Sequence, residues 1–412
     1  MAQPEGQPDI FDVVIAGGGY VGLSLAVALK TADPSASCAI IDPKPMDDLH
    51  KDPRASAIAA AASRMLSQLG VWDTLKEKAQ PINEMIVTDS KLRDSVRPVF
   101  LTFDGETTDG EPFAHMVPNG LMMPALYEAA QKLGVVFFAP GMAETFRTHS
   151  NHVDLVLADG SELRTRLLVA ADGVRSKLRD LAGIRTVDWD YGQSGIVTTV
   201  KHERPHLGRA EEHFLPAGPF AVLPLPGNRS SLVWTEKTAD ADRLVRSDDF
   251  TFELELERRF GHHLGTLEID GPRRAYPLGL KLAREFVKPR FALVGDAAHG
   301  IHPIAGQGLN LGFKDVAALA EVLVDARRLG QDVGGMDILE RYQRWRRFDT
   351  FQMGVVTDVL NRLFSNDIDV IRAVRDFGLG LVDRMPKLKS QFIKEASGFA
   401  GPVPKLLSGE PI

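Results

Sequence analysis

The segment 291–315 contains the residues with the clearest capacity for chemistry. An apolar strand ends at Asp296, and a glycine-punctuated turn then opens a new helix through Gly306 and Gly308. Backbone N–H groups at a helix N-terminus favour negative charge, whereas a carboxylate at a strand end accepts hydrogen bonds from hydroxyl groups. This pairing suits a ligand with hydroxyls at one end and an electron-accepting ring at the other, as in a flavin dinucleotide.

A second glycine run lies near the amino terminus. Gly17, Gly19 and Gly22 match G-x-G-x-x-G, in which the glycines allow a tight turn, the approach of a pyrophosphate and close packing of helix on strand. Asp42 lies twenty residues beyond Gly22, where a carboxylate binds the ribose 2′-hydroxyl. The pattern predicts dinucleotide binding, and the acid disfavours NADP at this site.

Hydrophobic patterning predicts the elements that position these residues. Short apolar strands over 11–16 and 38–41 flank a helical pattern over 20–30, as in a parallel strand–helix–strand unit. The alanine-rich stretch 55–69 is expected to be a helix. A further buried strand ends at Asp172, before Gly173.

Residues 191–276 change to short alternating strands separated by Pro and Gly turns, which indicates a second domain built on an antiparallel sheet. The predicted fold is therefore α/β, with a discontinuous Rossmann-like FAD-binding domain, an inserted substrate-binding β-sheet domain and C-terminal helices. The domain ranges are 1–80, 98–185 and 277–335 for the cofactor, 81–97 and 186–276 for the substrate, and 336–412 for the helical region.

Composition narrows the function. The 412 residues are enough for two domains, and the net charge of −7 argues against nucleic acid as a partner. The single cysteine excludes an intramolecular disulfide, and no Cys/His grouping supports a metal site. The first residues lack the charged and apolar regions of an export signal, so a cytoplasmic location is expected.

Three motifs together resemble a known family. The glycine run, the segment 172–179 and the Gly295-Asp296 run occur in the order seen in single-component FAD-dependent aromatic hydroxylases of the para-hydroxybenzoate hydroxylase type. The segment 302–315 matches all eight fixed positions of H-P-x-x-G-Q-G-x-N-x-G-x-x-D. That signature is similar to the one in ubiquinone-biosynthesis hydroxylases acting on polyprenylated phenols.

The resemblance implies roles for particular residues. Asp296 is expected to bond the ribityl chain, the segment 306–308 to underlie the isoalloxazine, and Arg54 and Asp172 to lie near the flavin. Candidate catalytic residues are His302 and Pro303. The candidate cofactor-binding residues are Gly17, Gly19, Gly22, Asp42, Arg54, Asp172, Asp296, Gly306, Gln307, Gly308 and Asn310.

Structural alternatives exist for several of these residues. Asp172 can instead cap the helix that follows it, leaving Arg175 and Arg179 as solvated charges. Without the resemblance, Arg54 is a surface charge before a helix. His302 and the nearby His299 either move protons near the flavin or simply pack.

By the same resemblance, the expected activity is aromatic-ring hydroxylation of a polyprenylated phenol with O2 through a flavin C4a-hydroperoxide. Because only one dinucleotide fingerprint is present, NAD(P)H as the reductant would bind transiently rather than in a Rossmann domain of its own, and another external electron donor is the alternative. The apolar sheet face with Phe220, Val222 and Leu223 is the candidate wall that excludes water from the reaction. Homo-oligomerisation stays open.

Three alternatives to this activity remain. The first is a hydroxylase of soluble aromatic compounds, and the second is a prenyl-chain reductase or halogenase on the same scaffold. The halogenase segment W-x-W-x-I-P does not occur in the sequence. The third is a non-catalytic prenyl-lipid carrier of the Rab-escort type, which the intact Gly295-Asp296 and 306–308 runs disfavour.

The carboxy-terminal region has a basic excess from Arg341 onward, interspersed with apolar side chains. Contact with an anionic membrane surface or a biosynthetic complex is one prediction for it, with peripheral attachment at the inner membrane. Ordinary helix packing with solvated cations is the alternative. The apolar residues concerned are Trp345, Phe348, Phe351, Leu363 and Phe364.

Overall fold

The computed structural model of the protein describes residues 10–90, 99–104, 107, 110–301, 307–364 and 393–412. Two large sheets organise these residues, one of eight strands and one of nine, and a smaller sheet has three. Among the described residues, no helix combines the length and the apolar character that crossing a membrane requires.

The eight-stranded sheet is the nucleotide-binding unit. Its strands run in the order β18-β19-β11-β1-β2-β8, and the pairings from β19 to β8 are parallel. The expected strand–helix–strand unit is therefore present at the amino terminus. The strands are β1 (Phe11–Ala16), β2 (Cys38–Ile41), β8 (Val136–Phe138), β9 (Ala143–Thr148), β10 (Val153–Leu157), β11 (Glu162–Ala170), β18 (Val287–Lys288) and β19 (Phe291–Leu293).

The nine-stranded sheet is the predicted second sheet. Its order is β20-β17-β12-β15-β14-β13-β5-β6, with β16 beside β12, and all its pairings are antiparallel except that of β5 with β13. The strands are β5 (Glu84–Asp89), β6 (Val99–Asp104), β12 (Thr186–His202), β13 (Arg209–Leu215), β14 (Gly218–Leu225), β15 (Arg229–Lys237), β16 (Leu267–Ile269), β17 (Arg274–Ala283) and β20 (His299–Gly300).

This strand membership differs from the ranges drawn from the sequence. The strands β6 and β20 belong to the second sheet although the sequence division gives them to the cofactor domain, and β17 crosses the division at residue 276. The chain passes between the two sheets more often than composition reveals. The three-region division stays a prediction.

Helices cover both sheets. The first helix is hydrophobic on nearly all sides and is buried from Gly22 to Leu29, because it packs between the nucleotide sheet and other helices. The helices are α1 (Tyr20–Ala32), α2 (Ala60–Gln68), α3 (Trp72–Leu75), α4 (Asn119–Lys132), α5 (Lys177–Leu181), α6 (Thr238–Arg246), α7 (Asp249–Phe260), α8 (Gln307–Arg328), α9 (Met336–Phe364) and α10 (Lys405–Ser408).

The expected helix over 55–69 is wrong in its first third. Ala55–Ala59 forms β3, which pairs with β7 (Ala114–Pro118) in the three-stranded sheet that β4 (Gln80–Pro81) completes, and the helix begins only at Ala60. Alanine favours helix by a fraction of a kcal/mol per residue, which the hydrogen bonds of a neighbouring strand outweigh.

The two faces of the nine-stranded sheet have different partners. Phe220 and Val222 point to the face covered by α6 and α7, where they pack with Trp234 in a separate apolar core. Leu223 points to the opposite face. The predicted wall is therefore wrong for the first two residues, because successive side chains of a strand alternate between faces, and for Leu223 it stays a prediction.

Candidate cofactor cleft and active site

Two glycines of the first run are fixed by close backbone packing. A Cβ atom on Gly17, whose φ is +116°, would lie 2.2 Å from the carbonyl oxygen of Ala171. A Cβ on Gly22 would lie 1.9 Å from the carbonyl oxygen of Gly17. Larger residues cannot occupy either position without moving the turn between β1 and α1.

Gly19 is different because a Cβ on it would meet no atom within 4 Å. It caps the N-terminus of α1 and lines a cleft of about 670 Å³. Asp42 lines the same cleft from the end of β2, where its Oδ2 accepts a hydrogen bond from Gly18 N at 2.7 Å and its Oδ1 one from Lys44 N at 2.8 Å. The open space beside a helix N-terminus suits a pyrophosphate.

Arg54 forms an ion pair with Asp52, with 2.7 Å between Nη2 and Oδ2. Burial opposes ionisation of Asp52, but the hydrogen bonds from Arg54 outweigh it and lower the pKa of Asp52 to about 2. The guanidinium also lies 5.8 Å from the ring centroid of Tyr276. Arg54 is thus a held cation beside the cleft rather than a free surface charge.

Asp172 follows β11 at the same end of the nucleotide sheet. Its Oδ1 atom is buried and has no hydrogen-bond partner among the described residues, while Oδ2 accepts a long bond of 3.4 Å from Leu178 N. Burial raises the pKa of Asp172. The N-cap of α5 is Ser176, whose hydroxyl accepts from the backbone N–H of Arg179, and Asp172 adds only its long bond to the first turn, so capping leaves Oδ1 of Asp172 unexplained.

The alternative that Arg179 is a solvated charge is wrong. Its side chain is buried and donates from Nη1 to the carbonyl oxygens of Val174 at 3.2 Å and Ala297 at 3.1 Å. It therefore ties the segment after β11 to the Gly295–Ala297 turn. Arg175, four residues earlier, is exposed and lines the cleft.

Asp296 lies in the short 3-10 turn Gly295–Ala297 that follows β19. Its side chain is open to a second cleft, whereas its neighbours Gly295 and Ala297 are buried. Partial desolvation by the surrounding protein raises the pKa of its carboxyl. This is the placement expected of an acceptor for a ligand hydroxyl.

The last residue of the signature has a structural function that the sequence reasoning did not assign. Asp315 is fully buried in α8, and its Oδ2 lies 2.5 Å from Nε2 of His299 and accepts from Gly295 N at 2.9 Å. Its Oδ1 accepts from Nε of Arg346 at 2.8 Å. Burial would raise the pKa of Asp315, but His299 and Arg346 outweigh it and hold the pKa below its ordinary value.

The remaining signature residues include one that binds the backbone, one that lines a cleft and several that lie outside the described part of the structure. Asn310 uses its amide on the backbone, accepting from Ala59 N and donating to Ala57 O at 2.9 Å each, so it fastens α8 to the junction of β3 and α2. Gly308 lines the second cleft with open space around it. The predicted residues His302, Pro303 and Gly306 and the side chain of Gln307 lie outside the described part of the structure.

The second cleft, of about 780 Å³, lies between the nine-stranded sheet and the start of α8. Ala221, Leu223 and Val233 form part of its wall, and Glu212 is a buried acid within it. The sequence signal for Glu212 is weak: it is an acid between Ala210 and Phe214 on one face of an alternating strand.

The two clefts adjoin, since Arg54 and Arg175 line both. Open space at Gly19 and Gly308, and an unpartnered carboxylate oxygen on Asp172, are features that an extended ligand would use. The described residues thus fit FAD.

A grouping with metal-binding residue types lies on the β9–β10 hairpin. His149, His152 and Asp154 offer ligand atoms within 4.8 Å of one another. Arg164 already donates to Asp154 Oδ1 at 2.8 Å, which gives the carboxylate a cationic partner. The sequence analysis did not single out this grouping.

The nucleotide unit, the adjoining clefts and the second sheet define a FAD-dependent protein of the monooxygenase class. A family model described as FAD binding domain matches residues 11–352. The ubiquinone hydroxylase UbiL of Rhodospirillum rubrum is 46% identical over 410 residues, covering 98% of this chain and 94% of that protein. The 3-demethoxyubiquinol 3-hydroxylase of Escherichia coli is 35% identical, covering 94% and 98%.

The chain belongs to the FAD-dependent hydroxylase family of ubiquinone biosynthesis. Human ubiquinone biosynthesis monooxygenase COQ6 is 30% identical over 445 residues, covering 94% of this chain and 92% of that protein. Among solved structures, p-nitrophenol 4-monooxygenase PnpA from Pseudomonas putida has a TM-score of 0.78 at 20% identity, covering 95% and 98% of the two chains. That structural likeness confirms the predicted fold class.

Proposed function

We propose that this protein hydroxylates the aromatic ring of a polyprenylated phenol, using O2, bound FAD and NAD(P)H as the reductant. The observation that supports this most directly is the adjoining pair of clefts, one lined by dinucleotide-binding features and the other by an apolar sheet face. A cofactor that spans both would present its reactive ring to whatever occupies the second cleft.

The residues of this chain bind and orient the cofactor and the substrate, whereas the redox chemistry belongs to the flavin. Reduced flavin, when bound, activates O2 so that one oxygen atom becomes available to an electron-rich ring. Asp42 and the N-terminus of α1 would bind the dinucleotide end, and Asp296 a hydroxyl of the ribityl chain. Leu223, Ala221 and Val233 would exclude water around the reacting atoms.

The test is substrate-stimulated oxygen uptake by the purified holoenzyme. Short-tailed prenylphenols are compared with simple hydroxybenzoates, and the product is analysed by mass spectrometry for one added oxygen atom. We expect the prenylphenols to stimulate uptake with hydroxylated product. Turnover of hydroxybenzoates alone would instead support the hydroxylase of soluble aromatic compounds, for which the same cleft has room.

The prenyl-lipid carrier is tested by the flavin itself. A carrier would purify without flavin absorbance and would acquire none after incubation with FAD. We expect bound FAD in stoichiometric amount. The open space at Gly19 and Gly308 and the carboxylate of Asp296 suit this ligand.

Peripheral association with an anionic membrane surface is part of the proposal. Phe348 on α9 is 71% exposed, which suits contact with lipid. Two other residues of the basic C-terminal region contact the protein itself: Trp345 donates its indole N–H to Pro402 O, and Arg346 is buried. Residues 365–392 lie outside the described part of the chain.

Binding of the protein to anionic liposomes, measured by flotation, should weaken for Phe348→Ser. It should be unchanged for Phe250→Ser, a substitution at the N-terminal end of α7.

A further inference from the structure

The candidate is the buried acid of the second cleft, Glu212. It lies in the middle of β13, where the register pairs it with Ala221 of β14 and Val87 of β5. Only 3% of the residue is exposed, and the side chain lines the cleft that Asp296 also lines. Its carboxylate is therefore inside the apolar part of the cleft, beside Ala221, and not at a wet rim.

The carboxylate of Glu212 lacks the partners that other buried acids of the same sheet have. Its Oε2 has no hydrogen-bond partner among the described residues. By contrast, Glu211 pairs with His213 at 3.0 Å and His263 at 2.9 Å, and Glu236 pairs with Arg259 at 2.8 Å. An unpartnered buried carboxyl destabilises a protein, so its presence in a cleft indicates a ligand that supplies the missing hydrogen bond.

We propose that Glu212 binds the ring hydroxyl of the phenol substrate and accepts its proton. This inference rests on the proposed function, since it requires that the second cleft hold a phenol. It names the group in this chain that positions the substrate ring. Burial raises the pKa of Glu212 to about 7, which suits an acid that exchanges a proton near neutral pH.

The proton transfer balances without any other reactant. The O–H bond of the phenol breaks, a bond forms between that proton and a carboxylate oxygen of Glu212, and the negative charge moves from the carboxylate to the ring oxygen. The ring carbons ortho and para to that oxygen gain electron density, so they react more readily with an electron-poor oxygen atom. After the ring carbon that receives the oxygen has lost its proton to water, the product phenolate takes the proton back from Glu212, which restores the carboxylate.

The first test needs no variant. The holoenzyme is titrated with a short-tailed 2-prenylphenol and with its methyl ether, and binding is followed through the flavin absorbance. The ether fills the same space but has no proton to donate. We expect the phenol to bind at least about tenfold more tightly, as a hydrogen bond to a charged group provides. Equal affinity would overturn the proposal.

The second test uses Glu212→Gln with Glu211→Gln as its matched control. The control makes the same change one residue earlier, on the opposite face of β13, where Glu211 pairs with His213 and His263. We expect Glu212→Gln to retain FAD, to lose the preference for phenol over ether, and to form product roughly 100-fold more slowly. Glu211→Gln should keep both the preference and the rate. An unchanged preference in Glu212→Gln would contradict the inference.

Failure of the proposed function gives a different result. If the wild-type holoenzyme hydroxylates only phenols without a prenyl chain, the substrate class is wrong, and the same two variants then test Glu212 with such a phenol and its methyl ether. If Glu212→Gln does not fold, the wild-type comparison of phenol and ether still decides the question.

Discussion

Arg346 of α9 donates from Nε to Oδ1 of Asp315 in α8 at 2.8 Å, and both side chains are almost completely buried. The same carboxylate accepts from the backbone of Gly295 and contacts His299. A charge pair in the core thus fastens the turn that carries Asp296 to two long helices. The cleft is positioned by a buried ionic contact as well as by apolar packing.

Removing one partner of this pair should destabilise the protein strongly. Arg346→Met leaves His299 as the remaining partner of Asp315, and breaking a buried ion pair costs roughly 3–5 kcal/mol. The free energy of unfolding is measured by denaturant titration of the apoprotein. Arg347→Met is the matched control, because Arg347 is exposed and its loss should change stability by less than about 0.5 kcal/mol. Similar losses for the two variants would contradict the role assigned to the pair.

The glycines of the first run should separate folding from cofactor binding. Gly19→Ala adds a methyl group to open space, so it should cost the apoprotein less than about 1 kcal/mol while weakening FAD at least about tenfold. Gly22→Ala would place a methyl group 1.9 Å from a carbonyl oxygen, so the fold itself should be lost or weakened. Thermal unfolding of the apoproteins and flavin titration measure the two effects. Equal FAD affinity in Gly19→Ala and wild type would contradict this assignment.

Glu212 should give stability a particular dependence on pH. The pKa is about 7 in the folded protein and ~4.3 in an unfolded chain, so the folded state holds more protons between these values. The contribution of Glu212 to stability is therefore fully present below pH ~4.3 and is lost as pH rises through the folded pKa. The gain in unfolding free energy of Glu212→Gln over wild type should increase by about 2–3 kcal/mol from pH 5 to pH 8. A gain that does not change with pH would show that Glu212 titrates normally.

Leu223 should control access of the ring to the second cleft. Leu223→Trp narrows that cleft, so the KM for a prenylphenol should rise several-fold while the flavin content is unchanged. Leu254→Trp, at an exposed position of α7, serves as the control. Steady-state oxygen uptake with each variant measures the effect, and an unaltered KM in Leu223→Trp would place the substrate elsewhere.

Local patterns in the sequence predicted the nucleotide unit well. The strands and helix around Gly17 and Asp42 follow from short-range apolar runs and glycine spacing, which act within about thirty residues. The burial of Arg346 and Arg179 could not be predicted from local patterns. A charged side chain is buried only where a distant chain segment supplies a partner. The face to which Phe220 points depends on strand register, and α6 and α7 determine which face is covered.

Gly295 and Gly312 both pack against one side chain of α1. A Cβ on Gly312 would lie 2.6 Å from Cγ2 of Val21, and one on Gly295 would lie 3.1 Å from the same atom. Val21, near the amino end of α1, therefore lies between the Gly295 turn and α8, so one valine sets the spacing of these three elements. A larger residue at position 295 or 312 would require a smaller one at position 21, so substitutions at these three positions are expected to occur together.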